Sequence, residues 1–483
     1  MRRSCMAALA VAAMATVVVP GVSAANTPDP LRWGACPEDT AAPGLECSTV
    51  RVPLSYQDPD GKQIDIAISR MASKNPAQRH GVLLTNPGGP GGAGLQFPTQ
   101  LLDAGLPQTV QDTYDVIGID PRGVGHSTPV TCDMTPEQMS RGNIPPYARS
   151  SADVVKRGEE AKLVAEQCAS SESAWMLPHL STANAARDMD RIREALGEEK
   201  ISYHGASYGT HLGAVYSTLF PERTDRISLD SSVPPGGLDS EGGRLIGRGV
   251  QDRFPDFAKY AAAHPEHGLG STPEEITAKY FELAERLDEK PQQGLDGALF
   301  RLVTFGHLYR DAQLPMLAEL WKAIESNQPQ PDPEVPPFQS DNSFASHLYT
   351  ICNDADWSRS VPSYQADVEV DRIRYPMFGA ATANIRPCAF WPSAPVEPPV
   401  QVGDRGPSNV LMVQNLRDPA TPLAGAEKLR DALGRRARIV TADQGGHGAY
   451  LYGANQCAND TVTTFLTTGQ RPAQDRACAA ESA

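Results

Sequence analysis

A serine between two glycines is the residue of this sequence with the clearest chemistry. Ser207 lies in the stretch Gly-Ala-Ser-Tyr-Gly (205–209), a G-x-S-x-G pattern. A short apolar run (201–204) precedes it, and a run compatible with a helix (210–216) follows it. In a sharp strand-to-helix turn of this kind the serine is exposed at the edge of a sheet, and the glycines let the strand and the helix pass closely. The pattern therefore predicts that Ser207 is a nucleophile.

A serine hydroxyl needs a base to take its proton and an acid to orient the base, and two downstream residues fit these roles. Asp418 and His447 each follow a segment that we predict to be a strand, and they occur in the order serine, acid, histidine. Because the carboxyl ends of parallel strands meet at one edge of a sheet, we expect both side chains near Ser207. Asp230 also ends a predicted strand after Ser207 and is the competing candidate for the acid.

A glycine-rich loop offers a further requirement of acyl transfer, the oxyanion hole. Negative charge develops on the carbonyl oxygen in the tetrahedral intermediate, and fixed backbone N–H groups stabilise it. We expect one donor from Tyr208, the residue after the nucleophile, and the other from the loop 86–92, with Gly89 as the predicted donor. A plain glycine-proline turn is the alternative interpretation. A phosphate-binding loop is disfavoured because no G-K-[ST] follows.

Strand-like and helix-like segments alternate around these residues. The predicted strands are the runs 64–68, 81–85, 114–119, 201–204, 226–229, 410–413 and 437–440. The amphipathic segment 181–196 predicts a helix, with Ser181 or Thr182 as its cap and Gly197 just past its end. Such alternation predicts a parallel sheet that is covered by helices.

The pattern changes in the middle of the chain, where the sequence is mostly helical, rich in loops and locally dense in proline. We interpret this stretch as a helical cap inserted into a sheet that both ends of the chain build. The predicted division is a signal peptide at 1–24, a first part of the sheet domain at 25–232, a cap at 233–407 and the second part of the sheet domain at 408–483.

The N-terminus and the charge bear on where the protein acts. Residues 1–24 combine two early arginines, a short apolar core and a small-residue site ending at Ala24, which predicts a cleaved signal peptide and a secreted protein. The formal net charge of −15 argues against binding to nucleic acid or to anionic membranes. No H-E-x-x-H or C-x-x-C occurs, so we expect neither a metal nor an organic cofactor. We expect a monomer.

Eight cysteines remain after the predicted cleavage, and an even number in an exported chain indicates disulfides. Eight cysteines allow about 105 pairings, so the sequence alone leaves the connectivity open. Pairing of neighbours along the chain is our expectation, and it joins Cys36 to Cys47, Cys132 to Cys168, Cys352 to Cys388, and Cys457 to Cys478.

The segment 120–127, Asp-Pro-Arg-Gly-Val-Gly-His-Ser, follows another predicted strand. We interpret Asp120 and Arg122 as a buried or partly buried pair that shapes the loop beside the oxyanion segment. A direct contact with substrate is the alternative.

Five of these segments share their patterns with one known family. They are Asn86–Gly92, Asp120–Ser127, Gly205–Gly209, Asp418–Pro422 and Gly446–Gly448. Together with a C-x-D stretch at 352–354 and a C-x-x-W-P stretch at 388–392, they resemble the secreted bacterial tripeptidyl aminopeptidases. These enzymes are relatives of prolyl aminopeptidase within the α/β-hydrolase superfamily. Pro87 stands where the prolyl aminopeptidases usually have histidine, which favours the tripeptidyl branch.

The resemblance implies an α/β-hydrolase fold, a mostly parallel sheet flanked by helices with a large inserted cap, and the release of short peptides from free N-termini. An exopeptidase of this kind needs a negative group for the substrate ammonium. Asp354 and Asp356 are the candidates, and glutamates of the cap compete with them. A secreted esterase or lipase-like enzyme with the same triad is the first alternative function. A binding protein on a hydrolase scaffold that has lost catalysis is the second.

Overall fold

A ten-stranded sheet forms the centre of the structure, a computed structural model that describes residues 31–140, 142–329 and 340–481. The predicted signal peptide lies outside the described residues. The strands are β1 (Gly34–Ala35), β2 (Leu45–Pro53), β3 (Gln63–Met71), β4 (Gly81–Asn86), β5 (Tyr114–Ile119), β6 (Ile201–Ala206), β7 (Thr224–Asp230), β8 (Val410–Arg417), β9 (Ala437–Gly445) and β10 (Arg476–Cys478).

The sheet is mostly parallel, as the sequence predicts. Its order is β1-β2-β3-β5-β4-β6-β7-β8-β9-β10. Every neighbouring pair from β5 to β10 is parallel, whereas β1, β2, β3 and β5 pair antiparallel at one edge. Strand β8 lies beside β7 although a long helical segment separates them in the chain. Both ends of the chain therefore build one sheet.

Fifteen α-helices surround the sheet within the described ranges. They are α1 (Phe97–Asp103), α2 (Gln108–Thr113), α3 (Pro136–Met139), α4 (Ser151–Ser170), α5 (Thr182–Ala195), α6 (Tyr208–Leu219), α7 (Ser240–Ala263), α8 (Pro273–Glu289), α9 (Gly297–His307), α10 (Leu314–Glu325), α11 (Asp341–Asp354), α12 (Val361–Arg374), α13 (Gly379–Thr382), α14 (Leu423–Leu433) and α15 (Gln456–Thr468). Helix α5 begins after Ser181, whose side chain accepts the Asn184 N–H, and Gly197 follows its end at φ 73°.

Two apolar cores cover the two faces of the sheet. On one face, helices α5, α6 and α14 contribute residues such as Leu212 and Leu429. On the other face, helices α1, α2 and α15 contribute residues such as Leu101 and Phe465. Because apolar side chains are buried on both faces, the central strands are continuous apolar runs in the sequence. Strand β4, for example, is buried along its whole length.

The helices between β7 and β8 have a core of their own, which includes Phe254, Tyr280 and Trp321. Helix α4 precedes β6 in the chain, yet its Val154 packs with Val368 of α12 in a further apolar cluster. We call α4 and the helices α7 to α13 the helical layer. This layer includes a segment outside 233–407, and the domain boundaries stay a prediction.

Four disulfides join neighbouring cysteines along the chain, in the pairs expected above. One of them connects Cys352 of α11 to Cys388, and another connects Cys457 of α15 to Cys478 of β10. Among the described helices, none combines the length and the apolar character that a membrane span needs.

Candidate active site

Ser207 occupies the turn between β6 and α6, and its backbone is strained. Its φ of 58° and ψ of −128° lie in a region that residues with a side chain rarely adopt. The Ser207 N–H donates to the carbonyl oxygen of Asp230 at 2.9 Å, which ties the turn to the end of β7. Backbone strain of this kind places a nucleophile at the tip of a strand-to-helix turn.

The two glycines of the G-x-S-x-G pattern are needed because backbone passes directly beside them. A Cβ on Gly205 would overlap the carbonyl oxygen of Gly209. A Cβ on Gly209 would lie 2.7 Å from the carbonyl oxygen of Asn86, the last residue of β4. The close passage of strand, helix and loop that the sequence predicts is thus present in the structure.

His447 and Asp418 form a direct hydrogen-bonded pair. The Nδ1 atom of His447 lies 3.0 Å from each carboxylate oxygen of Asp418. Because an ionised carboxylate only accepts hydrogen bonds, Nδ1–H is the donor, and Nε2 is left to act as a base. Ser207 Oγ makes no hydrogen bond to any residue that the structure describes, and in enzymes without substrate such contacts are often long.

The Asp418 carboxylate is fully buried and receives several further hydrogen bonds. The N–H groups of Ala420 and Thr421 and the Thr421 hydroxyl each donate to it at 2.9 Å. Burial alone raises the pKa of this carboxyl group, but the attraction to His447 and these hydrogen bonds outweigh it and lower the pKa. Asp418 is therefore held ionised, as an orienting acid must be.

The loop that carries His447 is fixed by the helical layer as well as by the sheet. The His447 N–H donates to the carbonyl oxygen of Tyr309, just after α9, at 2.8 Å. Gly446 has a φ of 96°, and a Cβ there would lie 2.8 Å from the same oxygen. The side-chain amide of Asn415 donates to the carbonyl oxygens of Gly446 at 2.9 Å and Gly448 at 3.2 Å. The loop that carries the imidazole is thus held by Tyr309 on one side and by Asn415 of β8 on the other.

The glycine-rich loop 86–92 lies against Ser207. Gly88 has a φ of 96°, and a Cβ there would lie 2.9 Å from Ser207 Cβ and 3.0 Å from Tyr208 N. The Gly88 N–H is already engaged by the Asn86 side chain at 3.0 Å. The N–H groups of Gly89 and Tyr208 donate to no other residue in the described ranges. These two groups are therefore free to meet an oxyanion.

Helix α11 supports the glycine-rich loop from the outside. His347 lies with its Nδ1 atom 3.2 Å from the carbonyl oxygen of Pro90, and Gly91 leaves no room for a side chain against Ser343. Burial and the nearby Arg386 lower the pKa of His347 to about 3, so its imidazole is neutral and donates through Nδ1.

Asp120 and Arg122 are both buried, but the expectation that they pair is wrong. Asp120 instead accepts the N–H groups of Gly94 at 2.7 Å and Leu95 at 3.0 Å, directly after the glycine-rich loop. Arg122 pairs with Asp188 of α5 through contacts of 2.6 and 2.7 Å. The two residues are separated only by Pro121 but contact different neighbours, because a loop after a strand does not fix where its side chains point.

Asp354 and Asp356, the candidates for ammonium binding, lie in different environments. The Asp354 carboxylate accepts the Thr182 N–H at 2.7 Å and the Thr182 hydroxyl at 2.6 Å, at the first turn of α5. Burial raises the pKa of Asp354 to about 6. Asp356 is exposed. Asp354 lines a cavity of about 280 Å³ together with His211, but Ser207 and His447 do not line it.

Asp230, the competing candidate for the acid, does not touch the imidazole. Its carboxylate accepts the N–H groups of Ala449 at 2.8 Å and Tyr450 at 2.9 Å, which follow His447 by two and three residues.

Tyr309 is not among the residues that the sequence predicts for the site, although its carbonyl oxygen accepts the His447 N–H. No local pattern around it indicates a contact with a residue far along the chain.

Several known proteins are similar in sequence to this chain. A family model described as "TAP-like protein" matches residues 375–478. The tripeptidyl aminopeptidase of Streptomyces lividans is 34% identical over 472 residues, which cover 92% of this chain and 86% of that protein. Serine protease Hip1 of Mycobacterium tuberculosis is 28% identical, over 93% of this chain and 91% of that protein. Carboxylesterase B of the same species is 30% identical, over 92% of this chain and 89% of that protein.

The similarities to these three relatives run along nearly the whole of this chain and most of each relative. The structure itself has a mostly parallel sheet, helices on both of its faces and a strained serine turn between β6 and α6. The chain belongs to the tripeptidyl aminopeptidase family, and it is a serine hydrolase with the α/β-hydrolase fold.

Proposed function

We propose that this chain is a secreted serine exopeptidase that releases short peptides, of tripeptide length, from the free N-termini of peptides or proteins. In this proposal Ser207 is the nucleophile, His447 the general base and Asp418 the orienting acid. The observation that carries it is the hydrogen-bonded pair of His447 and Asp418, 3.0 Å apart, beside a serine in a strained strand-to-helix turn. Two relatives with peptidase names support it.

The chemistry follows the order of an acyl transfer. Ser207 Oγ attacks the carbonyl carbon while His447 Nε2 takes its proton, and Asp418 stabilises the imidazolium that forms. The oxyanion meets the N–H groups of Gly89 and Tyr208. His447 then gives its proton to the leaving amine, which leaves an acyl-enzyme. Water attacks the acyl group with His447 again as base and releases the peptide.

The ammonium of the substrate needs an anionic partner at a set distance from Ser207. Asp354 and Asp356 are the proposed partners. Both oxygens of Asp354 already accept hydrogen bonds from Thr182, but each carboxylate oxygen has a second lone pair. Its position on the wall of a 280 Å³ cavity leaves room for a further donor.

Export is part of the proposal. The four disulfides support it, because such bonds form and persist in oxidising compartments. The predicted cleavage near Ala24 can be tested by N-terminal sequencing of protein recovered from the culture medium. The proposed enzyme acts as a monomer on peptides.

A secreted esterase is the second candidate function. The relative named carboxylesterase B, 30% identical over 92% of this chain, favours it. Esters and amides use the same triad and differ in the protonation of the leaving group and in the shape of the pocket. A binding protein without catalysis is disfavoured because Ser207, Asp418 and His447 are all present.

Two chromogenic substrates with the same Ala-Ala-Pro acyl group test the proposal, one with a free N-terminus and one acylated. Cleavage of the free form alone, lost in Ser207→Ala, is the expected result. Ser217→Ala is the matched control, since Ser217 is a buried serine of α6 whose hydroxyl donates to the Ala214 carbonyl oxygen. Equal cleavage of both substrates removes the exopeptidase claim. Hydrolysis of simple esters alone through Ser207 favours the esterase.

A further inference from the structure

The end of strand β7 contacts both parts of the candidate site that must approach each other. The Asp230 carbonyl oxygen accepts the Ser207 N–H at 2.9 Å. The Asp230 carboxylate accepts the N–H groups of Ala449 at 2.8 Å and Tyr450 at 2.9 Å. One residue therefore holds the serine turn through its backbone and the histidine loop through its side chain.

The next residue extends the same connection. Ser231 Oγ accepts the N–H of Gly448, the neighbour of His447, at 2.8 Å. Ser231 has a φ of 58°, in the left-handed region that disfavours residues with a side chain. Successive side chains of a regular strand point to opposite faces. The left-handed turn at Ser231 instead lets two adjacent side chains reach one loop.

The chemistry of Asp230 suits this task better than that of a neutral residue. Its side chain is 1% exposed, and it has no Lys, Arg or His nitrogen within ion-pair distance in the described part of the chain. A buried carboxylate without a cation is costly unless hydrogen bonds compensate for it. Here the two adjacent N–H groups donate to different oxygens of the Asp230 carboxylate, that of Ala449 to Oδ1 and that of Tyr450 to Oδ2. An asparagine would turn one amide donor toward one of these N–H groups.

We propose that Asp230, assisted by Ser231, is a positioning residue that sets the distance and angle between His447 and Ser207. This inference rests on the proposed roles of Ser207 and His447. It assigns Asp230 a function other than the acid of the triad, because its carboxylate bonds the backbone beyond His447 and not the imidazole.

A displaced imidazole affects two kinds of substrate differently. An amide needs His447 both to take the proton of Ser207 and to protonate the leaving amine. In the acylation step a p-nitrophenyl ester needs only the first transfer, since p-nitrophenolate leaves without a proton, and hydrolysis of the acyl-enzyme is common to both substrates. The ratio of amide to ester turnover therefore reports the position of His447. A loss of folded protein lowers both activities equally and leaves the ratio unchanged.

The experiment compares Asp230→Asn and Ser231→Ala with the wild type on an Ala-Ala-Pro peptide amide and the p-nitrophenyl ester of the same acyl group. We expect kcat on the amide to fall about 100-fold or more in Asp230→Asn, with KM within about threefold and the amide-to-ester ratio at least about tenfold lower. The rate of labelling of Ser207 by a fluorophosphonate should fall about tenfold or more, because that reaction also needs the base.

Asp371→Asn is the matched control. Asp371 is also 1% exposed, but it pairs with Arg244 in the helical layer. We expect it to lose stability and to keep both the ratio and the labelling rate.

Two outcomes overturn the inference. One is an unchanged ratio and labelling rate in folded Asp230→Asn. The other, if that variant does not fold, is an unchanged ratio and labelling rate in Ser231→Ala, which removes the acceptor of the Gly448 N–H and the hydroxyl that donates to the Asp230 carboxylate at 3.1 Å. A wild type that a fluorophosphonate does not label at Ser207 contradicts the proposed function itself. The labelling rates still test Asp230 if the natural substrate is an ester.

Discussion

Replacement of Gly88 by alanine should disrupt the proposed oxyanion hole and leave the rest of the fold intact. A Cβ at Gly88 would lie 2.5 Å from the Ala206 carbonyl oxygen and 3.0 Å from Tyr208 N. Ordinary contacts of a Cβ begin at 3.4 Å, so the loop must retreat by roughly 1 Å. That movement carries the adjacent Gly89 N–H away from Tyr208 N–H, although the two must converge on one oxygen atom.

The size of the effect follows from the loss of one oxyanion donor. Such a loss costs about 10²–10³ in kcat, or about 3–4 kcal/mol of transition-state stabilisation. The left-handed backbone of Gly88, with a φ of 96°, adds a cost to stability that any alanine would meet there. The assay is kcat and KM on an Ala-Ala-Pro p-nitroanilide, with the fraction of active enzyme titrated and the thermal unfolding midpoint measured alongside.

Gly105 provides the matched control for Gly88→Ala. Its φ is 90°, and a Cβ there would meet no atom within 4 Å. Gly105→Ala should therefore lower stability by about 1 kcal/mol through its backbone alone and keep kcat. If folded Gly88→Ala keeps kcat within about threefold of the wild type, the loop does not form the oxyanion hole and the reasoning fails.

Three further predictions address the acid, a buried carboxylate and a disulfide. Asp418→Asn should lower kcat by about 10⁴-fold with little change in KM, because the amide favours the wrong imidazole tautomer; a loss below about tenfold would contradict the assignment. Asp354 has a pKa of about 6 in the folded protein against 3.8 in the unfolded chain, so wild-type stability from this group is present below about pH 4 and is lost as the pH rises through 6. Urea unfolding at pH 4 and pH 7 should show the stability of Asp354→Asn rising relative to wild type by about 2 kcal/mol, and a constant difference would refute the burial argument. Loss of the bond between Cys352 and Cys388 in the double serine variant should lower the free energy of unfolding by about 3–4 kcal/mol, since the bond closes a separation of 36 residues. Urea unfolding of both proteins in oxidising buffer measures the difference, and the two unfolding curves should coincide once a reductant is added.

Local patterns in the sequence predict those parts of the structure that depend on near neighbours. The strands β3 to β9 lie where apolar runs predict them, and Ser181 and Gly197 bound α5 as its capping residues indicate. The place of Asp418 after β8 follows from the same logic, since a parallel sheet brings the ends of its strands to one edge. Its catalytic role and that of His447 stay predictions for the kinetic tests above.

The remaining features depend on contacts between distant segments, which no local pattern encodes. Arg122 turns to Asp188 rather than Asp120, because the partner is set by how α5 packs on the loop after β5. Asp354 bonds the first turn of α5 for a similar reason. Helix α4 joins the helical layer although it precedes β6 in the chain and lies outside the predicted cap. In each case the energy of tertiary packing selects among options that the local sequence leaves open.

The helical layer does more than cover the sheet, because it also carries contacts that hold the histidine loop. The Tyr309 carbonyl oxygen accepts the His447 N–H at 2.8 Å. Asp256 of α7 accepts Arg417, the residue before Asp418, at 2.8 Å, and Arg253 of the same helix at 2.6 Å. A layer joined to both the acid and the base cannot shift over the sheet without moving them. The packing of the helical layer and the positions of Asp418 and His447 are therefore coupled, so substitutions that loosen α7 or the end of α9 should lower kcat even where they touch no substrate.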